Sequence, residues 1–197
     1  MANCLLLMRH GEVEGGSTGR FLGATDLPLS EEGRRQARAV VSCIKQAKPG
    51  VCYCSPSKRT QETARVVARG IKTKVEPDLR EVDFGEWEGK TFEEISASNP
   101  EHVQRWTEFE GFVFPGGEAI DGFVSRIQSA VKRMAAEQAE VVLAVTHGGV
   151  IRMIICHLLG LSPRNYLLFN VGPASLTTID LFGDRGVLSG LQNRFEK

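Results

Sequence analysis

The chain has 197 residues, 42% of them hydrophobic, which suits one compact domain, expected over 1–197, with a sizeable core. Lysine plus arginine equals aspartate plus glutamate at 24 each, so nothing in the charge supports a nucleic-acid or membrane-surface role. The apolar runs Cys4 to Met8 and Val150 to Leu161 are too short for a signal peptide or a bilayer span, and a cytoplasmic protein is expected. Five cysteines with no C-x-x-C pair read as reduced core residues, and the spacing of a metal site is lacking.

Leu5 to Met8 reads as a first, buried strand. Ser30 is the expected N-cap of a helix with Glu31 and Glu32 in its first turn and Ala37, Val40, Val41 and Ile44 on one face. Pro49-Gly50 stops that helix. Val51 to Cys54 is the second strand, and a helix beginning at Ser57 turns Ala64, Val67 and Ala68 inward. Lys72 to Val75 alternates as a third strand.

From Glu81 to about Ile127 the pattern changes. Thr91 and Glu94 form a capping box for a short helix ending near Pro100, followed by Trp106, Phe109, Phe112, Phe114 and the turn Pro115-Gly116-Gly117. This insert, about 82–127, is either a cap over one edge of the sheet or a surface excursion with its own small core. Val141 to Thr146 is the clearest buried strand, leading through His147-Gly148-Gly149 into an apolar helix to Leu159. Leu176 to Leu181 and Val187 to Leu191 read as closing strands. Strands alternating with helices predict an α/β fold, a three-layer sandwich with a mostly parallel central sheet flanked by helices and a small helical cap insert.

In open α/β sheets the ligand sits beyond the carboxyl ends of the strands. There stand Arg9 and His10 after the first strand, Arg59 after the second, Glu81 a little beyond the third, and His147 after the strand ending at Thr146. Each alone has an ordinary structural explanation: a hydrogen-bonded histidine, a surface cation, a solvated carboxylate. Together at one edge they describe an anion site containing a nucleophile. Helices starting at Ser57 and Gly149 would aim free N–H groups at the same place. His102 is expected to be exposed and His157 structural.

Six blocks carry a resemblance to a known family: 6–12 (LLMRHGE), 19–26 (GRFLGATD), 28–33 (PLSEEG), 55–64 (SPSKRTQETA), 79–89 (LREVDFGEWEG) and 145–152 (VTHGGVIR). Across nearly the whole chain and in order, they resemble the histidine phosphatase superfamily, in its phosphoglycerate-mutase-like branch. The resemblance implies that His10 attacks phosphorus and forms a phosphohistidine. It implies that Arg9, Arg59 and His147 hold the phosphoryl oxygens, and that Glu81 serves first as acid and then as base. Substrate-binding positions would be Arg9, Gly11, Gly23, Arg59, His147 and Gly148, with no metal and no cofactor. Nearby arginines would disfavour protonation of His10 and leave its lone pair free.

Many family members carry Ser or Thr after Arg-His-Gly-Glu and Asn three residues later; here Val13 and Gly16 stand instead. Specificity is therefore expected from backbone groups or from the insert. The resemblance favours a phosphatase over a mutase, the chain being shorter than the family's typical cofactor-dependent mutases. Phe112 to Glu118 resembles the corresponding segment of α-ribazole-5′-phosphate phosphatases, which implies a small phosphorylated substrate from cobalamin assembly. A phosphoglycerate mutase, a broad-specificity sugar-phosphate phosphatase and a non-catalytic binding module are the alternatives. Oligomeric state, a homodimer included, is left open.

Overall fold

The apolar run at the start of the chain is uninterrupted because both faces of its strand are covered. Strand β1 (Cys4–Arg9) turns Leu5 and Leu7 to one face of the sheet, and Leu6 and Met8 to the other. The same division runs through β2 (Val51–Cys54) and β4 (Val141–Thr146), whose alternate residues join the same two clusters. The computed structural model describes residues 1–16, 19–109 and 111–193; the end of the domain expected over 1–197 lies outside them.

Six strands lie in the order β3-β2-β4-β1-β5-β6, with β3 at Thr73–Val75, β5 at Leu176–Phe182 and β6 at Arg185–Gln192. The first four are mutually parallel, while β5 runs antiparallel to β1 and β6 antiparallel to β5. β1 and β4 pair at the centre, Arg9 opposite Thr146, so the residues following them emerge side by side.

Helices α1 (Glu31–Ala47) and α2 (Lys58–Val67) cover one face. Ser30 caps α1 by accepting from Gly33 N at 3.0 Å, and Ala37, Val40 and Ile44 are buried as expected. The other face is covered by α5 (Ile120–Ala135) and α6 (Gly148–Leu159). Two short helices, α3 (Phe92–Ser98) and α4 (Pro100–Glu108), lie in the insert. The capping box at Thr91 and Glu94 is formed.

The short helix expected to end near Pro100 does so, α3 stopping at Ser98. Pro100 then opens α4, which the sequence reading did not include; there its missing N–H and fixed φ are tolerated. The boundary near Ile127 falls inside α5, which continues to Ala135. The insert has no core of its own. Trp87, Trp106, Phe112 and Phe114 belong to the same cluster as Leu5, Leu7 and Ile154. His102 is half-buried rather than exposed, on a helix packed against that cluster. All five cysteines are free, and burial pushes the Cys54 thiol up to about 11. No helix among the described residues is long and apolar enough to cross a membrane.

Candidate active site

Beyond the carboxyl ends of β1 and β4 lies a cleft of about 370 Å³. Arg9, His10, Arg59, Glu81, Gly148 and Gly149 line it, together with the aromatic side chains Phe21, Phe84, Trp106 and Tyr166. The five strand-end side chains read from the sequence therefore meet, with His147 against His10 edge-on at 5.2 Å between ring centroids.

His10 is buried, with its backbone held between Thr146 O (2.9 Å) and the N–H of Ala174 (3.0 Å). Its Nδ1 lies 2.7 Å from Gly11 O. A carbonyl can only accept, so Nδ1 carries the proton and Nε2 keeps its lone pair. Burial, then the charges of Arg9 and Arg59, hold the imidazolium form well below its usual range. His10 is a neutral base with a fixed tautomer.

Arg9 donates from Nη1 to Val171 O at 2.6 Å, while its buried Nε has no partner among the described residues. A buried N–H without an acceptor is costly unless a ligand supplies one. Burial lowers the Arg9 pKa to about 10, which leaves the group charged at neutral pH. Arg59 is fixed by Thr25 O (2.7 Å) and Gly23 O (2.8 Å), and its Nε donates to His147 Nδ1 at 3.3 Å. The other nitrogen of His147 lies 2.8 Å from Ser55 Oγ. With both nitrogens engaged, a phosphoryl oxygen reaching His147 must displace one of these contacts.

Glu81 is anchored by two backbone donors, Val82 N to Oε1 (3.1 Å) and Gly149 N to Oε2 (3.0 Å). Gly149 permits this approach: a Cβ there would lie 2.5 Å from Oε1. At each of the two helix starts expected to offer free N–H groups to an anion, one N–H is engaged within the chain. Gly149 N on α6 serves Glu81, and Lys58 N on α2 donates to Asp26 Oδ1 at 2.7 Å.

Gly11 and Gly23 do not line the cleft; they stand behind it. Gly11 orients His10, and its own N–H reaches Thr63 Oγ1 at 3.3 Å. Gly23 offers its carbonyl to Arg59 and its N–H to Glu88 at 2.9 Å. A Cβ at Gly23 would fall inside the Val82 carbonyl.

The Pro-Gly-Gly-Glu turn has a definite task. Glu118 receives Arg126 through both oxygens (2.7 and 2.8 Å), and Arg80 at 3.1 Å. Arg126 also donates to the carbonyls of Asp78, Arg80 and Glu81. The pair thus clamps the loop that carries Glu81. Two further cleft residues were not singled out from the sequence, Arg152 and Tyr166. Arg152 had a readable signal: it interrupts an apolar helix four residues after Gly148, on the face of that helix's first turn. Tyr166, on a short helical turn, had none. Val13 lines the cleft as an apolar wall, and Gly16 does not line it. Among the described residues no three His, Cys, Asp or Glu side chains gather as a metal ion would require.

The chain is similar to known proteins along almost its whole length. The phosphoserine phosphatase 1 of Hydrogenobacter thermophilus is 32% identical over 188 residues, covering 93% of this chain and 89% of that protein. The adenosylcobalamin/α-ribazole phosphatase of Salmonella typhimurium is 29% identical, covering 96% of each. The crystal structure of the α-ribazole phosphatase from Shigella flexneri superposes with a TM-score of 0.84 at 26% identity, covering 98% of this chain and 100% of that one. The family model of the histidine phosphatase superfamily (branch 1) matches residues 5–194, and the chain belongs to that superfamily.

Proposed function

We propose that this hydrolase cleaves α-ribazole 5′-phosphate or a similar small phosphate ester, with His10 as the nucleophile. The carrying observation is the Nδ1 contact to Gly11 O, which leaves the Nε2 lone pair of a neutral imidazole free beside two arginines. Nε2 attacks phosphorus in line, the bond to the alcohol oxygen breaks, and Glu81 delivers the proton that this oxygen takes up. Water then gives a proton back to Glu81 and attacks the phosphohistidine, releasing inorganic phosphate. Arg9, through its unpartnered Nε, and Arg59 stabilise the equatorial oxygens. His147 keeps Arg59 oriented and joins the oxygens on exchanging a partner.

The segment 82–127 acts as the cap that selects the alcohol. Its Phe84 and Trp106, with Phe21, make an apolar aromatic wall suited to a flat nucleoside base. The activity is assigned to the cytoplasm, on a freely diffusing ester, without nucleic acid or membrane. A second reading, phosphoserine, is supported by the H. thermophilus relative and by Arg20 and Arg152 in the cleft.

The test is direct. With labelled phosphomonoester and an alkaline quench, acid-labile phosphate forms on the intact protein and not on His10→Ala. Phosphate release, ranked by kcat/KM for α-ribazole 5′-phosphate, phosphoserine and 3-phosphoglycerate, identifies the substrate. Isomerisation of phosphoglycerate without phosphate release would make the protein a mutase. No labelling and no turnover of any ester would leave only a binding role.

A further inference from the structure

Tyr166 lies at the junction of the cap and the catalytic end of the cleft, on the short helical turn Pro163–Leu168 that follows α6. Its side chain is buried, and its oxygen accepts the indole N–H of Trp106 at 3.1 Å. That contact uses a lone pair and leaves the hydroxyl's own hydrogen without an acceptor among the described residues. Burial raises the phenol's pKa, so the group remains a protonated donor. Beside it stands Arg152, whose Nε is fixed on Phe169 O at 2.9 Å. Its two Nη groups have no partner among the described residues, although the side chain lines the cleft. Two unspent donors thus share a wall that is otherwise largely apolar, close to Arg9 and Glu81.

We infer that Tyr166 and Arg152 form a second polar subsite, which takes an acceptor oxygen on the alcohol half of the ester. Trp106 is the positioning residue: by occupying the phenol oxygen it directs the O–H hydrogen away from itself, into the cleft. Since both groups only donate here, the fitting partners are the ring or hydroxyl oxygens of a furanose or a carboxylate, not an ammonium group. A donor aimed at one substrate oxygen discriminates by leaving itself unpaired when that oxygen is missing.

This inference rests on the phosphatase reading and is tested so that the two fail differently. Steady-state kinetics are measured for ribose 5-phosphate, 3-phosphoglycerate and phenyl phosphate, the last having no acceptor on its alcohol half. Tyr166→Phe should lower kcat/KM for the first two by about tenfold, the usual worth of one hydrogen bond, and leave phenyl phosphate within about twofold. Trp106→Phe should reproduce part of that selective loss. Arg152→Met should weaken 3-phosphoglycerate more than ribose 5-phosphate if the bound oxygen belongs to a carboxylate, and both equally if it is neutral; either pattern supports the subsite. An equal fall on all three esters in Tyr166→Phe, or no fall on any, overturns it. Absence of turnover by the wild-type protein on every ester would instead overturn the phosphatase reading.

Discussion

Arg59 donates from Nε to Nδ1 of His147, and that contact fixes the protonation of the second histidine as firmly as Gly11 O fixes the first. A guanidinium has no lone pair to offer, so Nδ1 must accept and the single ring proton resides at Nε2, toward Ser55. Two histidines 5.2 Å apart, among three arginines, are both neutral.

Neutrality has a measurable pH signature. Burial, with Arg59 as the leading charge on His147, lowers both pKa values well below the ordinary 6.5. In the unfolded chain both rings titrate near 6.5, so below that pH the unfolded state holds more protons. Stability is therefore complete above about pH 7 and falls as pH drops toward the folded-state values, by at most about 1.4 kcal/mol per pH unit for each histidine. NMR should show the ring signals of His10 and His147 unmoved from pH 8 to 6, and urea midpoints should fall below pH 6.5. A titration of either ring centred near 6.5 contradicts the assignment.

Glu81 depends on a glycine as much as on its own carboxylate. Glu81→Gln should slow turnover by roughly two to four powers of ten, the usual contribution of a general acid, while inhibition by inorganic phosphate persists. Gly149→Ala places a methyl 2.5 Å from Oε1 and should displace the carboxylate, giving a comparable loss with an intact fold. If Gly149→Ala keeps wild-type kcat, the backbone anchor does not position the acid. If Glu81→Gln loses phosphate binding too, Glu81 is structural.

The Glu118–Arg126 pair predicts a coupled loss of stability and rate. Both side chains are largely buried, so Arg126→Met leaves Glu118 with the half-exposed Arg80 and a long contact from the Asp83 N–H (3.4 Å), and should destabilise by about 3–5 kcal/mol. It also frees the carbonyls of Asp78, Arg80 and Glu81, so kcat should fall even below the melting temperature. Chemical denaturation and kinetics on the same variant check this. Unchanged kcat in the folded fraction would reduce the clamp to a stability device.

The strand ends were legible because the chemistry of an anion site and the pattern of a buried parallel strand fall next to each other at Arg9-His10 and Thr146-His147. Less of α5 could be read. Arg126 interrupts its apolar face, and it is buried because Glu118 and three loop carbonyls meet it from outside the helix. Such pairing over distance leaves no local period. The same holds for Tyr166, whose meaning comes from Trp106 sixty residues away in sequence. At Pro100 the end of α3 was legible but the start of α4 was not, because proline stops one helix and starts the next with equal ease. The antiparallel docking of β5 on β1 likewise depends on partners no single segment contains.

The cap should not unfold on its own. Trp87, Trp106, Phe112 and Phe114 pack edge to face with one another, and their cluster runs without a break into Leu5, Leu7 and Ile154 under the sheet. Loosening the insert would expose that cluster and remove the cover from α5 and α6. The chain has two tryptophans, and both lie in the insert, so fluorescence reports the cap while far-UV circular dichroism reports the whole chain. Urea transitions followed by the two probes should coincide in midpoint and slope, as for one cooperative unit. Trp87→Phe should shift both curves together. A fluorescence transition that precedes the dichroism change would show instead that the insert folds as a separate layer, and that the cleft wall it provides can open without loss of the sheet.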